Sequence, residues 1–377
     1  MEVLIAPDKF RGSLTAPAAA AAMATGVHRA VPGARVVLRP VADGGEGTVD
    51  AFVAAGWSPV TVRVAGPTGV VGPAVVARRD DRAVVELAAC CGLPRLPGGV
   101  PAPRTATSRG AGEAVLAVLR EGAREVVVGL GGSASTDGGV GFLGALGVVL
   151  RDDRGEELPS LPQSLHHAAT VDLTRLAPEV AGARLVLATD VTSVLTGPGG
   201  AAAVFAPQKG AGGDDVRVLA DGLERWADLL ARRGQPVRDL PGGGAAGGVA
   251  AGVVGVLGGV ADVGVVSGAR TVVDAVGVPA VVAGADLVLT GEGSFDRQSL
   301  AGKAPVTVAA VAAAAGVPVV VVCGRAGADL GDPGALGITD VRSLGAAARP
   351  LEDPMRDADR LVARVSADVV REFVARA

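Results

Sequence analysis

The sequence predicts an α/β fold in two domains, one of them split along the chain. Three observations carry this. Short apolar runs rich in Val, Ile and Leu, of the kind buried on both faces of a parallel sheet, alternate with helical patterns at both ends of the chain. The middle changes style, with short runs broken by Gly66-Pro67 and Asp80-Asp81. Loops dense in glycine follow several predicted strands. Two parallel-type strands at the N-terminus and three at the C-terminus make one five-stranded domain, residues 1–60 and 280–377. A larger α/β domain, 61–279, is inserted into it. A cleft between the two is the expected site.

The elements follow in order. Residues 2–6 form the first strand, with Asp8 at its carboxyl end. Ser13 or Thr15 caps a helix that carries Pro17 in its first turn, runs to about residue 30 and is ended by Pro32-Gly33. A strand at 35–38 leads to an acidic loop, 43–47, and a helix from 48 to about 55. Runs at 60–64, 70–78 and 83–87 read as β-hairpins, and 109–122 as a charged helix. Residues 126–149 read as strand, Gly-rich loop and helix, with Phe142, Leu143 and Leu146 on one helical face. A strand at 184–188 and an amphipathic helix at 214–233 come next. The uncharged stretch 245–261 reads as a buried, Gly-rich helix pair and not a membrane span. Strands at 286–289, 317–322 and about 338–341 then alternate with a helix at 305–315. Asp353-Pro354, as N-cap and first helical residue, opens a last helix to about residue 373.

Composition narrows the function classes. Apolar residues are 49% of the chain but aromatics only 2%, with no Tyr, so the core is built from Val, Leu and Ala. The 57 glycines have no fixed period, which excludes a collagen-like chain. A net charge of −4 without a basic run argues against nucleic acid as a partner. The three cysteines give neither a disulfide framework nor a C-x-x-C pair, and Cys90-Cys91 is expected in a buried turn. No secretory signal pattern opens the sequence, so a cytoplasmic protein with no membrane attachment is expected. A homodimer is compatible with the sequence.

The chemistry centres on Gly131-Gly132-Ser133-Ala134-Ser135-Thr136-Asp137-Gly138-Gly139, between a strand and a helix. Glycines let the backbone approach a ligand, and a helix N-terminus presents unpaired N–H groups to an anion, so this loop reads as a phosphate cradle. Two further Gly loops at strand ends carry carboxylates, Asp43 and Glu46 in one and Glu292 in the other; Gly242–Gly248 forms a fourth Gly-rich loop. Acids beside a phosphate cradle require a cation between them, and Mg²⁺ brought in by a nucleotide supplies it. The chain has only three lysines, Lys9, Lys209 and Lys303, all in glycine-rich or polar loops. Their scarcity marks Lys209 and Lys303 as site residues for phosphoryl transfer. No Walker loop is present, because Gly302-Lys303 is followed by Ala304, and His28, His166 and His167 are too few and poorly spaced for a metal centre. Gly129–Ala134 also fits G-x-G-x-x-A with Asp152-Asp153 about twenty residues on. That leaves an NAD(P)-dependent oxidoreductase of a small hydroxy acid as a rival class, although residues 135–139 intervene before the helix. A two-domain binding protein without chemistry is a second rival.

Five blocks together resemble the class I bacterial glycerate kinases. They are Ala6-Pro7-Asp8 with Gly12-Ser13-Leu14; Ala42-Asp43-Gly44-Gly45-Glu46-Gly47-Thr48; Gly131-Gly132-Ser133-Ala134 with Asp137-Gly138-Gly139; Ala206-Pro207-Gln208-Lys209-Gly210-Ala211; and Thr290-Gly291-Glu292-Gly293 with Asp296, Gln298 and Gly302-Lys303. They occur in the family's order and span residues 1 to about 350. The resemblance implies two α/β domains, one discontinuous and flavodoxin-like, and ATP- and Mg²⁺-dependent phosphorylation of D-glycerate, mostly to 2-phosphoglycerate; 3-phosphoglycerate is the alternative product. Lys9 stands where the family has Ser, and Arg11 where it has Lys. By chemistry and position, Gly131, Gly132, Ser133, Asp137, Gly138 and Gly139 would hold the nucleotide. Lys209 and Lys303 would neutralise the transferred group. Asp190, Glu292 or Asp296 would orient the substrate hydroxyl or hold Mg²⁺, with Asp190 and Glu292 the metal candidates. Asp8, Arg11, Ser13, Asp43 and Glu46 would form the glycerate side, Arg11 matching the carboxylate bidentately.

Overall fold

The computed structural model describes residues 1–297 and 299–376; Gln298, part of the fifth block, lies outside the described residues. The chain forms two compact units. The first comprises residues 1–43, 50–56 and 269–377, and the second residues 44–49 and 57–268.

The first unit is built on a five-stranded, all-parallel sheet in the order Asp340–Ser343, Val319–Ala326, Leu287–Phe295, Glu2–Ile5, Arg35–Leu38. Counted along the chain this is 2-1-3-4-5, the flavodoxin-like order, whose switch point lies between Glu2–Ile5 and Leu287–Phe295. Both of those strands are Val- and Leu-rich and mostly buried, because helices cover the sheet. Helix Ala16–Ala30 is capped by the Thr15 hydroxyl, which accepts from the Ala18 N–H at 3.3 Å. It packs on the C-terminal helix Ala358–Arg376, with Met23, Val27, Leu361, Val362 and Val365 in one core.

Two expectations for this unit need correction. Residues 290–294 do not form a loop after the strand: Leu287–Phe295 is continuous and pairs with Val319–Ala326 as far as Phe295. Glycine acts there as a spacer, since a Cβ on Gly291 would lie 1.9 Å from the Val322 carbonyl oxygen. The last helix begins at Ala358, not at Asp353. The Asp353 carboxylate instead holds a turn, accepting from the backbone N–H of Met355 and Arg356 at 2.8 and 3.3 Å.

The second unit holds a six-stranded mixed sheet in the order Asp262–Val266, Arg184–Ala188, Glu125–Gly129, Arg82–Glu86, Val71–Arg79, Ser58–Ala65. The first four strands are parallel and the last three antiparallel. Thus Arg82–Glu86 closes a hairpin on one side and joins a parallel sheet on the other. A small antiparallel sheet of Val149–Arg151, Glu157–Leu158 and Thr170–Asp172 has no counterpart in the sequence reading. The stretch expected as a helix pair is one buried segment, Ala245–Leu257, with a left-handed turn at Ala246, Gly247 and Gly248. Among the described residues no helix is long and apolar enough to cross a membrane. Cys90 and Cys91 are buried in the short helix Leu87–Cys91.

The crossing of the two long helices in the first unit depends on Gly26, where a Cβ would come within 2.2 Å of the Ala363 carbonyl oxygen. Gly26→Val should therefore lower unfolding free energy by about 1–3 kcal/mol. Urea denaturation checks this: the midpoint should fall with the slope unchanged.

Candidate active site

In the first unit the switch point collects carboxylates. The Ala6 N–H donates to the Leu289 carbonyl and the Asp8 N–H to the Gly291 carbonyl, both at 2.8 Å, so the chain leaving Glu2–Ile5 runs beside Leu287–Phe295. This sets Asp8 and Glu292 at the carboxyl end of neighbouring strands, where open α/β sheets bind ligands. Both are buried, at 5% and 8% exposure. Burial pushes Asp8 up to about 7; the Lys9 ammonium opposes this, and the Asp43 charge and then the Glu292 charge add to it. Burial likewise pushes Glu292 up to about 7, against the nearby Ser299 hydroxyl and the Lys303 charge, with Asp43 and Asp296 adding to the rise. Glu292 Oε1 is buried with no hydrogen-bond partner in the protein. Lys9 Nζ lies 3.7 Å from Asp8 Oδ1 and 3.8 Å from Asp43 Oδ1. Ser299 Oγ ties the adjoining turn by accepting from the Asp296 N–H at 3.1 Å and donating to the Ser294 carbonyl. Lys303 is the N-cap residue of helix Ala304–Ala314. Asp8, Asp43, Glu292, Asp296 and Lys303 therefore belong to one electrostatic cluster. Arg11 is exposed, and the Ser13 hydroxyl donates to the Phe10 carbonyl at 3.0 Å.

In the second unit the central Gly-rich loop is clamped from every side. Asp137 is fully buried. Its carboxylate accepts from Ser108 N and Oγ at 2.8 Å, from Gly139 N at 3.1 Å and from Gly141 N at 3.2 Å. The anion at the N-terminus of the short helix Val140–Ala145 is thus a protein side chain. This corrects the expectation that Asp137 and Gly139 meet a nucleotide: their polar groups are already used. Trp226 Nε1 donates to the Gly138 carbonyl at 3.0 Å, and the Gly138 N–H donates to the Gly247 carbonyl at 3.0 Å. Lys209 is buried, its ammonium donating to Ser133 Oγ at 2.7 Å and to the Ser135 carbonyl. Burial pulls it down to about 7, with the Asp137 charge opposing. Of the loop, Gly132 is exposed and Gly131 half-buried, while residues 133–139 are buried.

The other glycine motifs of this unit pack on one another. A Cβ on Gly129 would lie 2.6 Å from the Gly44 carbonyl oxygen, and one on Gly131 2.4 Å from Gly45 Cα. Buried Glu86, at a strand end, accepts from the backbone N–H of Gly47 and Val49 at 3.0 and 3.2 Å, and Glu46 points to solvent. Asp190 accepts from Ser267 Oγ at 2.8 Å and from Gly268 N at 2.9 Å. The sequence reading missed Ser108, Trp226 and Glu86. Only Glu86 had a signal, an acid closing an apolar strand; Ser108 and Trp226 act across long sequence separations. Among the described residues no group of three or more His, Cys, Asp or Glu could hold a metal ion.

A flavodoxin-like sheet with buried carboxylates at its switch point, in a chain whose other unit carries Gly-rich strand-end loops, is the architecture of an α/β enzyme. Comparison with known proteins specifies it. Residues 3–374 match the model of the glycerate kinase family, so the chain belongs to that family and is an enzyme of the kinase class. It is 38% identical to a glycerate kinase of Bacillus subtilis over 98% of this chain and 97% of that one. It is 36% identical to glycerate 2-kinase of Escherichia coli, again over 98% and 97%. A crystal structure from Salmonella typhimurium LT2 assigned as glycerate kinase 2 superposes with a TM-score of 0.84 at 36% identity, covering 100% of this chain and 98% of that one.

Two predictions follow from the burial. The fold favours neutral Glu292, so its contribution to stability is complete below its ordinary value of 4.5 and is lost as pH rises through about 7. Glu292→Gln cannot ionise. Thermal melts should place the variant increasingly above wild type between pH 5 and 8; parallel profiles would refute the assignment. Asp137→Ala leaves several buried N–H groups without an acceptor and should cost on the order of 3 kcal/mol or more in urea denaturation.

Proposed function

We propose that this protein is an ATP- and Mg²⁺-dependent kinase that phosphorylates D-glycerate to 2-phosphoglycerate. The observation that carries the reading is the pair of buried carboxylates, Asp8 and Glu292, beside one another at the switch point. A group pushed up to about 7 is suited to taking the proton of an attacking hydroxyl near neutral pH. Asp8 is assigned that task, with Ser13 and Asp43 on the glycerate side and Asp296 bracing the turn. Lys303 is assigned to the transferred phosphoryl group.

The nucleotide phosphates are assigned to the backbone at Gly131 and Gly132, the part of the central loop with exposed surface. Ser133, Asp137, Gly138 and Gly139 keep that segment rigid, and Lys209 serves the same end from beneath it. For Mg²⁺, the unpartnered buried Glu292 Oε1 fits a cation in the first unit, and Asp190 is the candidate in the second. One or two carboxylates suffice, because Mg²⁺ takes its remaining ligands from water and phosphate. The ion would supply positive charge to neutralise what develops on the transferred group. The E. coli relative's name, glycerate 2-kinase, supports the C2 hydroxyl as acceptor.

A coupled ADP-release assay with D-glycerate and MgATP, with the product identified by ³¹P NMR, tests the reading. The expected product is 2-phosphoglycerate. Formation of 3-phosphoglycerate would move the acceptor hydroxyl, and no turnover by folded protein would refute the assignment.

A further inference from the structure

The second unit has a polar cavity of about 500 Å³, within the size range of small-molecule sites. Helix Gly213–Arg232 forms one wall. The small antiparallel sheet, with the turn Pro162–His166 that precedes its Thr170–Asp172 strand, forms the other. None of the residues lining it has a part in the reaction assigned above.

The two walls are tied together by the protein itself. Arg225 Nη1 donates to the His166 carbonyl at 3.3 Å, and Arg233, just past the helix, donates to the Val171 carbonyl at 3.1 Å. Gly222 allows the close approach, since a Cβ there would lie 3.3 Å from His166 Nε2 and 3.4 Å from Leu165 Cβ.

The charges around the cavity differ by sign in how they are used. Asp152 Oδ1 closes a turn, accepting from the N–H of Arg154 at 3.0 Å and of Glu156 at 2.8 Å. Asp228 Oδ1 accepts from Arg238 Nη2 at 2.8 Å. That leaves Asp153 as the one acid of the lining without a partner among the described residues. The guanidinium groups of Arg154, Arg225 and Arg232 form no ion pair among the described residues. Arg225 and Arg232 stand seven apart on the helix, so they share one face. His166 and His167, two of the three histidines in the chain, add ring N–H donors, their rings 6.5 Å apart. Guanidinium forks match phosphate oxygens bidentately, and three of them with imidazole donors suit a dianion with three terminal oxygens.

We propose that this cavity is a further ligand site of the enzyme, taking a small phosphate monoester whose dianionic head is held by Arg154, Arg225 and Arg232. The site stands independently of the glycerate kinase reading, and its test needs no turnover.

Isothermal titration calorimetry with glycerol 2-phosphate, inorganic phosphate and glycerol compares wild type with Arg225→Met/Arg232→Met, Arg154→Met and Lys303→Met. Melts without ligand confirm that each protein is folded; should the double variant fail to fold, Arg154→Met, on an exposed turn, carries the test. The ester should bind wild type and glycerol should not. Removing one guanidinium should weaken binding roughly 10-fold and removing two roughly 100-fold, while Lys303→Met should bind as wild type does. Inorganic phosphate should bind more weakly than the ester, because it lacks the carbon body that fills the cavity; tighter binding would make free phosphate the ligand and overturn the ester assignment. No binding to wild type would overturn the proposal. So would binding that is equal in wild type and the arginine variants, above all if Lys303→Met abolishes it, which would put the anion at the site of the transferred group. Ester binding lost in the arginine variants, in a protein that turns over no D-glycerate, would refute the reaction and keep the site.

Discussion

The pairing of Glu2–Ile5 with Leu287–Phe295 is the interaction on which the rest of the first unit depends. It joins residues 284 apart in the chain, in register from Val3 with Leu287 to Ile5 with Leu289. The Thr290 hydroxyl, donating to the Ala6 carbonyl at 2.7 Å in the buried interior, extends it beyond the ladder. Because helices cover this sheet, an unpaired backbone group here would be costly, and a slip by one residue would turn every side chain to the opposite face. The register therefore has one solution. That solution places Asp8 beside Glu292 at a switch point, where the sheet order leaves room for a ligand. The raised pKa of both carboxylates follows from burial at this one place.

The second unit solves a different problem. A loop this rich in glycine is loose by itself. Rigidity comes from outside the loop. The Asp137 carboxylate gathers N–H groups of Ser108, Gly139 and Gly141; Trp226 and Gly247 hold Gly138; and the Lys209 ammonium ties Ser133 to the Ser135 carbonyl. A lysine buried to this degree costs stability as pH falls toward its depressed value of about 7. The unit retains that cost where the loop turns. Ala246, at φ 53° without being glycine, is a second such place.

Much of the architecture was legible. Parallel strands buried on both faces leave uninterrupted Val and Leu runs, and the three inner strands of the first sheet show that pattern. The helix Ala16–Ala30 announced itself by Thr15 and Pro17. Two local signals were misread. Glycine was taken as a loop signal at 290–294, where it spaces two strands that touch. Asp353-Pro354 carried the chemistry of a helix start and was used for a turn.

Local chemistry, which is written in neighbouring residues, determined the fold class, the positions of most strands and helices, the acidic and glycine-rich character of the strand ends, and the family likeness. What a given carboxylate or ammonium does depends on groups far away in sequence, and only the tertiary structure decided that. Asp137 and Glu292 look alike in the chain, each an acid beside glycine. One is saturated by five donors from two segments, and the other keeps a buried oxygen without a partner. Lys9 and Lys209 are both rare loop lysines, and folding sets the first between two carboxylates and seals the second beneath a loop. The physical reason is that desolvation and charge act through space and scale with burial, and burial is a property of the whole fold.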